Sequence, residues 1–447
     1  MIDKLTIGVV ALARPTFDVP YAEQVAATAW ETLQGLDVNI AGSKDLLFDA
    51  PAVESAISAL QKQRLDLLLV MQVTFSDATM TVKLADSIDA PVLLLSFPEP
   101  RSGERLRLNS VCGINLAAHA LDRAGQPFSF LHRDADNKGT PQILMDNARA
   151  GHVKRKLAET RIGVIGQHPD GFDTCTYDTE LLSRRFGVSV DFMELQALFK
   201  RAERIPAAET DEIYARVQAD LGNLDTLAQE PLRKSLQIYS ALRSLASEKK
   251  YNGLAVRCWP EMFTEFGCAA CGPMAMMNQE MIPCACEADV YGTISTLMLQ
   301  GLNDAPAFMT DMVDFNPKDN SAVFWHCGLA PLSMADKEGP IRATIHSNRK
   351  LPFLNEFSLK PGRITIARLS QSKNVVRLVI GSGEMIRAPM SFSGTSGVVR
   401  FDRPVEEVLE TIIMEGIEHH VSMTYGDCRE SLKKLAGILD IPILQLT

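Results

Sequence analysis

In the second half of the chain, carboxylates and imidazoles stand where apolar runs end. Glu287 closes the run Ile282-Pro283-Cys284-Ala285-Cys286, so its carboxylate should leave a buried strand at the carboxyl edge of a sheet, where open α/β sheets place their ligands. The plainer alternative is an acid favoured by the dipole of the helix through Tyr291 to Leu299; Asp289 fits that role better, as a cap. Asp311, with Asp314 close by, follows the apolar strand of PAFMTDMVDF, and alone it would be an ordinary solvated loop acid. His326 sits in the apolar run AVFWHCG, where a hydrogen-bonded core histidine is the commoner outcome. His419 and His420 in EGIEHHVSMTYGD follow a helix whose dipole they could simply complement. Carboxylates and an imidazole brought together would suit acid–base work and a divalent cation. Taken singly, each reads as structure.

Several familiar signals are missing. No GxxxxGK[ST], HExxH or GxSxG occurs, and no GxGxxG follows the first strand, so nucleotide-driven and serine-hydrolase chemistry lose support. Cys268, Cys271, Cys284 and Cys286 form C-x₂-C-x₁₂-C-x-C, which invites a structural zinc. The second pair lies in an apolar strand and the first in a small-residue, Met-rich helix, so thiols acting as small hydrophobes are favoured. RCWPEMF closes a strand with Trp259 and Glu261. The indole could stack on the apolar face of a ligand and the carboxylate bind its hydroxyls, against a core aromatic and a surface acid. Arg14, Gln72 and Thr74 follow N-terminal strands and are further candidates for substrate contact.

The stretch GPMAMMNQEMIPCACEADVYGTISTLMLQGLNDAPAFMTDMVDFNPKDNSAVFWHCG resembles the metal-binding core of the L-fucose and L-arabinose isomerases. In those enzymes a Glu-x-Asp element is followed by a second acid after an apolar-aromatic strand, then by a histidine in another strand. Glu287, Asp311 and His326 take those places. The C-terminal EGIEHHVSMTYGDCRESLKKLAGILDIPILQL is similar to the arabinose isomerase segment whose double histidine supplies a ligand through its second member, here His420. MQVTFSDATM resembles the family's His-Thr-Phe-Ser element, with Gln72 where the arabinose branch has His. RIGVIGQHPDGFDTCTYD falls where the family's second domain starts. Asp311 follows the fucose branch and the histidines the arabinose branch, which leaves the sugar open.

What the resemblance implies is a metal-dependent aldose–ketose isomerase that moves a carbonyl between C1 and C2 through an enediol. Glu287 and Asp311 would be ligands and proton carriers, His420 a ligand, and His326 a further ligand or an orienting group. General acid–base groups of this kind contribute about 10²- to 10⁴-fold each. The donor set favours Mn²⁺, with Mg²⁺, Co²⁺ or Fe²⁺ as alternatives. Family members form sites between subunits of trimers or hexamers, so a homo-oligomer is implied, with Arg14, Gln72 and Thr74 reaching such a site.

The elements that would position these groups follow from periodicity. Leu5 to Leu12, Val38 to Ile40, Leu65 to Val73 and Val92 to Phe97 are strand-like, with helical patterns between them. Ala22, Val25, Ala29 and Leu33 recur at helical spacing, Val53, Ile57 and Leu60 do the same, and Ser76 should cap a third helix toward Ile88. This is a parallel βαβ layout. A second such unit begins at Arg161 with RIGVIG and continues through Val188 to Phe192, Leu254 to Arg257 and Ile282 to Glu287. Between them Glu209 to Lys250 is long and charged and reads as surface helices. From about Asp304, strands such as Arg363 to Leu369 and Val375 to Ile380 indicate an antiparallel, β-rich region. The fold class is therefore α/β: two consecutive Rossmann-like domains (1–160 and 161–303) followed by a β-rich C-terminal domain (304–447).

Composition sets the outer limits. At 447 residues about three domains are expected. The formal net charge of −10 would repel nucleic acid and anionic membranes, so a small ligand such as a sugar is the expected partner. No run long enough to span a membrane occurs, and no signal peptide is legible. Nine cysteines without an export signal read as reduced thiols in the cytoplasm. Two rivals are a non-catalytic sugar-binding or regulatory protein, which needs no metal, and a same-fold isomerase specific for a sulfonated, branched or phosphorylated sugar.

Overall fold

The computed structural model describes residues 4–447, which divide into two compact units: the chain up to Lys156 together with Glu430–Asp440, and Leu157–Arg429 together with Ile441–Thr447. In the first unit, strands β1 (Thr6–Leu12), β2 (Asn39–Leu47), β3 (Leu67–Gln72), β4 (Val92–Ser96) and β5 (Phe128–His132) form a parallel sheet in the order β2-β1-β3-β4-β5. Successive residues feed opposite faces. Ile7, Val9, Leu67 and Leu69 join one apolar cluster, and Val10, Leu12, Leu68 and Val70 join the other. A sheet covered on both sides needs such near-continuous apolar strands. The helix after β3 runs Thr79–Ser87 and starts without a side-chain cap. Ser76 is instead a buried partner of Gln72 Nε2 at 2.7 Å, which corrects its expected capping role.

The second unit opens with a smaller parallel sheet of β6 (Arg161–Ile165), β7 (Ser189–Met193), β8 (Gly253–Val256) and β9 (Cys284–Ala285), ordered β7-β6-β8-β9. Strand β9 is only two residues long because the chain turns sharply after Ala285. The charged segment expected at the surface folds as helices Ala207–Leu221 and Gln229–Lys249, and the second is largely core. Leu232, Leu236, Tyr239, Leu242 and Leu245 are buried, an apolar face recurring every third or fourth residue that the intervening charges mask.

The same unit continues into β10 (Ala307–Asn316), β11 (Ser321–His326), β12 (Arg342–Ile345), β13 (Pro352–Ser358), β14 (Gly362–Ser370), β15 (Arg377–Ile386), β16 (Thr395–Phe401), β17 (His420–Tyr425) and β18 (Ile443–Gln445). Among the described residues these form one sheet in which β16-β11-β10-β17-β14-β15 pair antiparallel, and β15 pairs back to β16 to close the ring. Closure removes the exposed edges of the ring. The region is not purely antiparallel as expected, since β13 adds parallel to β16 and β18 parallel to β15. The register brings distant candidate residues side by side: Asp311 on β10 lies directly opposite His420 on β17 and Trp325 on β11. No helix among the described residues is long and apolar enough to cross a membrane.

Candidate active site

After β9 the chain makes one tight turn, Cys286–Ala288, before the helix Val290–Asn303 begins. Glu287 and Ala288 both take φ near +57°, a left-handed conformation that typically costs non-glycine residues about 1–3 kcal/mol each. Packing therefore holds the Glu287 backbone where sequence preference would not. The side chain is 12% exposed. Its Oε1 accepts from Trp259 Nε1 at 2.9 Å and its Oε2 faces His419 Nε2 at 3.2 Å.

Two residues on, Asp289 caps the helix by accepting from the Gly292 N–H at 2.8 Å. Its other oxygen meets His420 Nδ1 at 3.0 Å and Arg368 Nη1 at 2.6 Å. An acceptor at Nδ1 fixes the proton on that nitrogen and leaves the lone pair on Nε2. That Nε2 lies 3.8 Å from Glu287 Oε2 and 3.7 Å from Asp311 Oδ1. Asp311 Oδ1 is buried and has no hydrogen-bond partner among the described residues. Buried polar atoms are nearly always paired, so an orphaned carboxylate oxygen beside an imidazole lone pair fits a cation. His326 joins the same group: the ligand atoms of Asp311, His326 and His420 lie within 4.8 Å of one another.

Cys175, Glu287 and His420 converge equally closely, but Cys175 is the weaker donor. Burial and the charges of Asp289 and Glu287 push its thiol well above its ordinary range, so it remains protonated, 4.0 Å from Glu287 Oε2. Among the described residues the four C-x₂-C-x₁₂-C-x-C cysteines do not converge as one ligand group. Cys286 packs on Cys258 at 2.7 Å and Cys271 on Cys327 at 3.4 Å.

Electrostatics keep Glu287 and Asp289 ionised. Burial alone would raise Glu287, but the His419 hydrogen bond, the neighbouring His420 and the Trp259 N–H together hold it below the usual range. For Asp289, the charge of Arg368 and the contact with His420 overcome complete burial and hold it far below that range. His419 shows the converse: burial opposes its protonation, and the Glu287 and Asp311 carboxylates raise it.

These residues face a cleft of about 280 Å³ whose walls include Phe172, Trp259, Glu287, Asp311, His326, His346, Arg349 and His420, near the lower end of small-molecule sites. Trp259 thus lines the cleft as expected. Glu261 is not part of its wall, and both its oxygens are taken by Arg257, at 2.6 and 2.8 Å. Arg14, Gln72 and Thr74 lie in the first unit, at the carboxyl ends of β1 and β3. There Thr74 Oγ1 accepts the Arg14 N–H at 2.8 Å, Arg14 pairs with Asp77 at 3.3 Å, and Gln72 Oε1 is buried without a partner among the described residues.

Sequence reasoning assigned no role to Cys175, Arg368, His346 or Arg349. For Arg368 a signal existed: it interrupts the apolar alternation of GRITIARLS with a position that is 0% exposed, and a buried arginine demands an acidic partner. The others carry no local signal.

Residues 8–146 match the fucose/sulfoquinovose isomerase N-terminal domain and residues 355–447 the L-fucose isomerase C-terminal domain. Relatives include the sulfoquinovose isomerase of Priestia aryabhattai, 30% identical over 438 residues and covering 98% of each chain. That of Alkalicoccus urumqiensis is 30% identical over 445 residues, covering 99% of each. That of Clostridium sp. (strain MSTE9) is 28% identical over 440 residues, covering 97% of this chain and 96% of the relative. With identity running the length of the chain and an acid–imidazole cluster at the end of its second parallel sheet, the protein belongs to the fucose/sulfoquinovose isomerase family of aldose–ketose isomerases.

Proposed function

We propose that the chain interconverts a sulfonated aldose, sulfoquinovose in the first instance, and its ketose, using a divalent cation held by Glu287, Asp311 and His420. The observation that carries the metal is the unpartnered Asp311 Oδ1 facing the His420 Nε2 lone pair. The substrate reading is supported by the relatives' activity on sulfoquinovose. Hard oxygen donors with an imidazole favour Mn²⁺, with Mg²⁺, Co²⁺ or Fe²⁺ as alternatives. His326 is either a further ligand or the group that orients one.

When bound, the cation would offset the negative charge that develops on the two sugar oxygens. The proton work falls to the chain. Glu287, ionised and fixed by Trp259 and His419, and Asp311 are the carboxylates able to take a proton from one sugar carbon and return it to the next. Asp289 holds the His420 tautomer, and Trp259 presents its indole to the cleft. Contact of Arg14, Gln72 and Thr74 with substrate and homo-oligomeric assembly as trimer or hexamer belong to the same reading and rest on the family resemblance, whereas a cytoplasmic location rests on the nine cysteines read as reduced thiols.

The test is turnover of sulfoquinovose, with neutral pentoses and hexoses as controls, before and after EDTA and on adding Mn²⁺ back, for wild type, Glu287→Gln and Asp311→Asn. Turnover lost to EDTA, restored by Mn²⁺ and absent from both variants is expected. Sugar binding without conversion, or activity surviving in both variants, would sink the proposal.

A further inference from the structure

The turn between β12 and β13 brings a cation into the cleft that the isomerisation chemistry does not use. Arg349 lies over Trp259, with its guanidinium carbon 4.9 Å from the ring centroid, and over Phe263 at 5.2 Å. Such stacking fixes the plane of a guanidinium and leaves the donors on its rim available. Among the described residues no carboxylate pairs with Arg349, although most arginines of this chain have one. The indole beneath it is the same one that donates to Glu287, so a single ring separates this cation from the catalytic carboxylate.

His346 sharpens the point. The residue is 4% exposed, and its Nδ1 receives the backbone N–H groups of Asn348 at 3.2 Å and Arg349 at 3.3 Å. Nδ1 is therefore the unprotonated nitrogen, and the neutral ring carries its proton on Nε2. Burial and the adjacent Arg349 charge keep the ring neutral, pushing it down to about 4. Yet Nε2 lies 3.1 Å from Arg349 Nη1, and an arginine nitrogen can only donate. In this tautomer two donors stand side by side in the wall of the cleft, with no protein acceptor between them among the described residues. That arrangement is complete when a ligand supplies the acceptor.

We infer that this turn is an oxyanion clamp: Arg349 and the Nε2–H of His346 take the anionic substituent at the end of the sugar remote from the reacting carbons, making Arg349 the residue that sets specificity. This rests on the isomerase reading and extends it to the substrate's other end. Sulfonate and phosphate share the tetrahedral oxyanion chemistry. One guanidinium and one neutral N–H match the single charge of a sulfonate better than a phosphate monoester's nearly double charge.

The test compares kcat and KM for sulfoquinovose, its 6-hydroxy counterpart glucose and glucose 6-phosphate, in wild type, Arg349→Gln, Arg349→Lys and His346→Asn. Bound Mn²⁺ and the melting temperature are measured for each protein. In Arg349→Gln the preference for the sulfonated over the 6-hydroxy sugar should fall about 10- to 100-fold, the scale of a charged hydrogen bond. The loss should lie mainly in KM, metal content should be retained, and Arg349→Lys should recover part of the preference. If Arg349→Gln does not fold, Arg349→Lys and His346→Asn carry the same comparison, each with a reduced preference. An unchanged preference ratio in the folded variants overturns the clamp and leaves the isomerase reading standing. Wild type converting glucose but not sulfoquinovose would instead remove the substrate reading, and a preference for glucose 6-phosphate would overturn the single-charge argument.

Discussion

Replacing Asp289 by Asn changes one oxygen to an amide nitrogen, and the geometry leaves no harmless place for it. One carboxylate oxygen caps Gly292 N–H at 2.8 Å, and the other accepts from both His420 Nδ1 at 3.0 Å and Arg368 Nη1 at 2.6 Å. With the amide nitrogen toward Gly292 the cap is lost, at a typical cost of about 1 kcal/mol. Turned the other way, it sets donor against donor at His420 and Arg368. In either orientation the negative charge is gone, and among the described residues the fully buried Arg368 keeps one carboxylate, Glu418 at 3.7 Å, beside the Thr174 carbonyl at 3.2 Å. Removing one partner of a buried ion pair costs about 3–5 kcal/mol, and Glu418 should hold the loss to about 3. Because Asp289 also fixes the His420 tautomer, Mn²⁺ affinity should drop about 10- to 100-fold, or about 1.4 to 2.7 kcal/mol. Denaturant unfolding of the metal-free proteins reads the first quantity and calorimetric Mn²⁺ titration the second. A variant as stable as wild type that binds Mn²⁺ within twofold of it would refute this assignment of Asp289.

Three further outcomes are expected. A Cβ at Gly292 would lie 2.3 Å from Met309 Sδ and 2.7 Å from Asp289 Oδ2, so Gly292→Ala should displace the Asp289 carboxylate and cost about 1–3 kcal/mol; an unchanged melting temperature with unchanged Mn²⁺ affinity would contradict this. Trp259→Phe removes a hydrogen bond that helps hold Glu287 below the usual carboxylate range, so a carboxyl-¹³C titration of the metal-free protein should find the Glu287 midpoint moved to higher pH, and no movement would count against the contact. His346 is neutral in the fold down to about pH 4 but takes up a proton when unfolded near its ordinary value of about 6.5. The unfolded chain binds more protons between those limits, so the stability is intact above about pH 6.5 and falls by about 3 kcal/mol toward pH 4. In His346→Asn the pH dependence across that window should be flatter, and an equally steep one would show that other groups cause it.

Glu287 and Asp311 could be singled out only because the stretch around them resembles the isomerases' metal-binding core, since each alone reads as structure and Asp311 lies inside β10 rather than after it; the layer order was legible because strand and helix periods differ. What escaped were features made by distant pairing. Asp289 reads as a cap from its position before Val290, but its hold on His420 and Arg368 joins residues far apart in the chain through strands β14 and β17. The charges of Gln229–Lys249 suggest a surface helix, although Leu232, Leu236 and Leu242 fill a core. Ring closure through β15 and β16 depends on register, which no single strand reveals. Arg349 looks like one basic residue in a polar turn until the backbone amides of that turn reveal which His346 nitrogen carries the proton.

The most direct measurement is anomalous diffraction at the manganese edge from crystals soaked in Mn²⁺. A single strong peak within bonding distance of Glu287, Asp311 and His420 Nε2 is expected. A peak among the cysteines, or none at this cluster while the soaked protein turns over its sugar, would contradict the assignment of the metal centre.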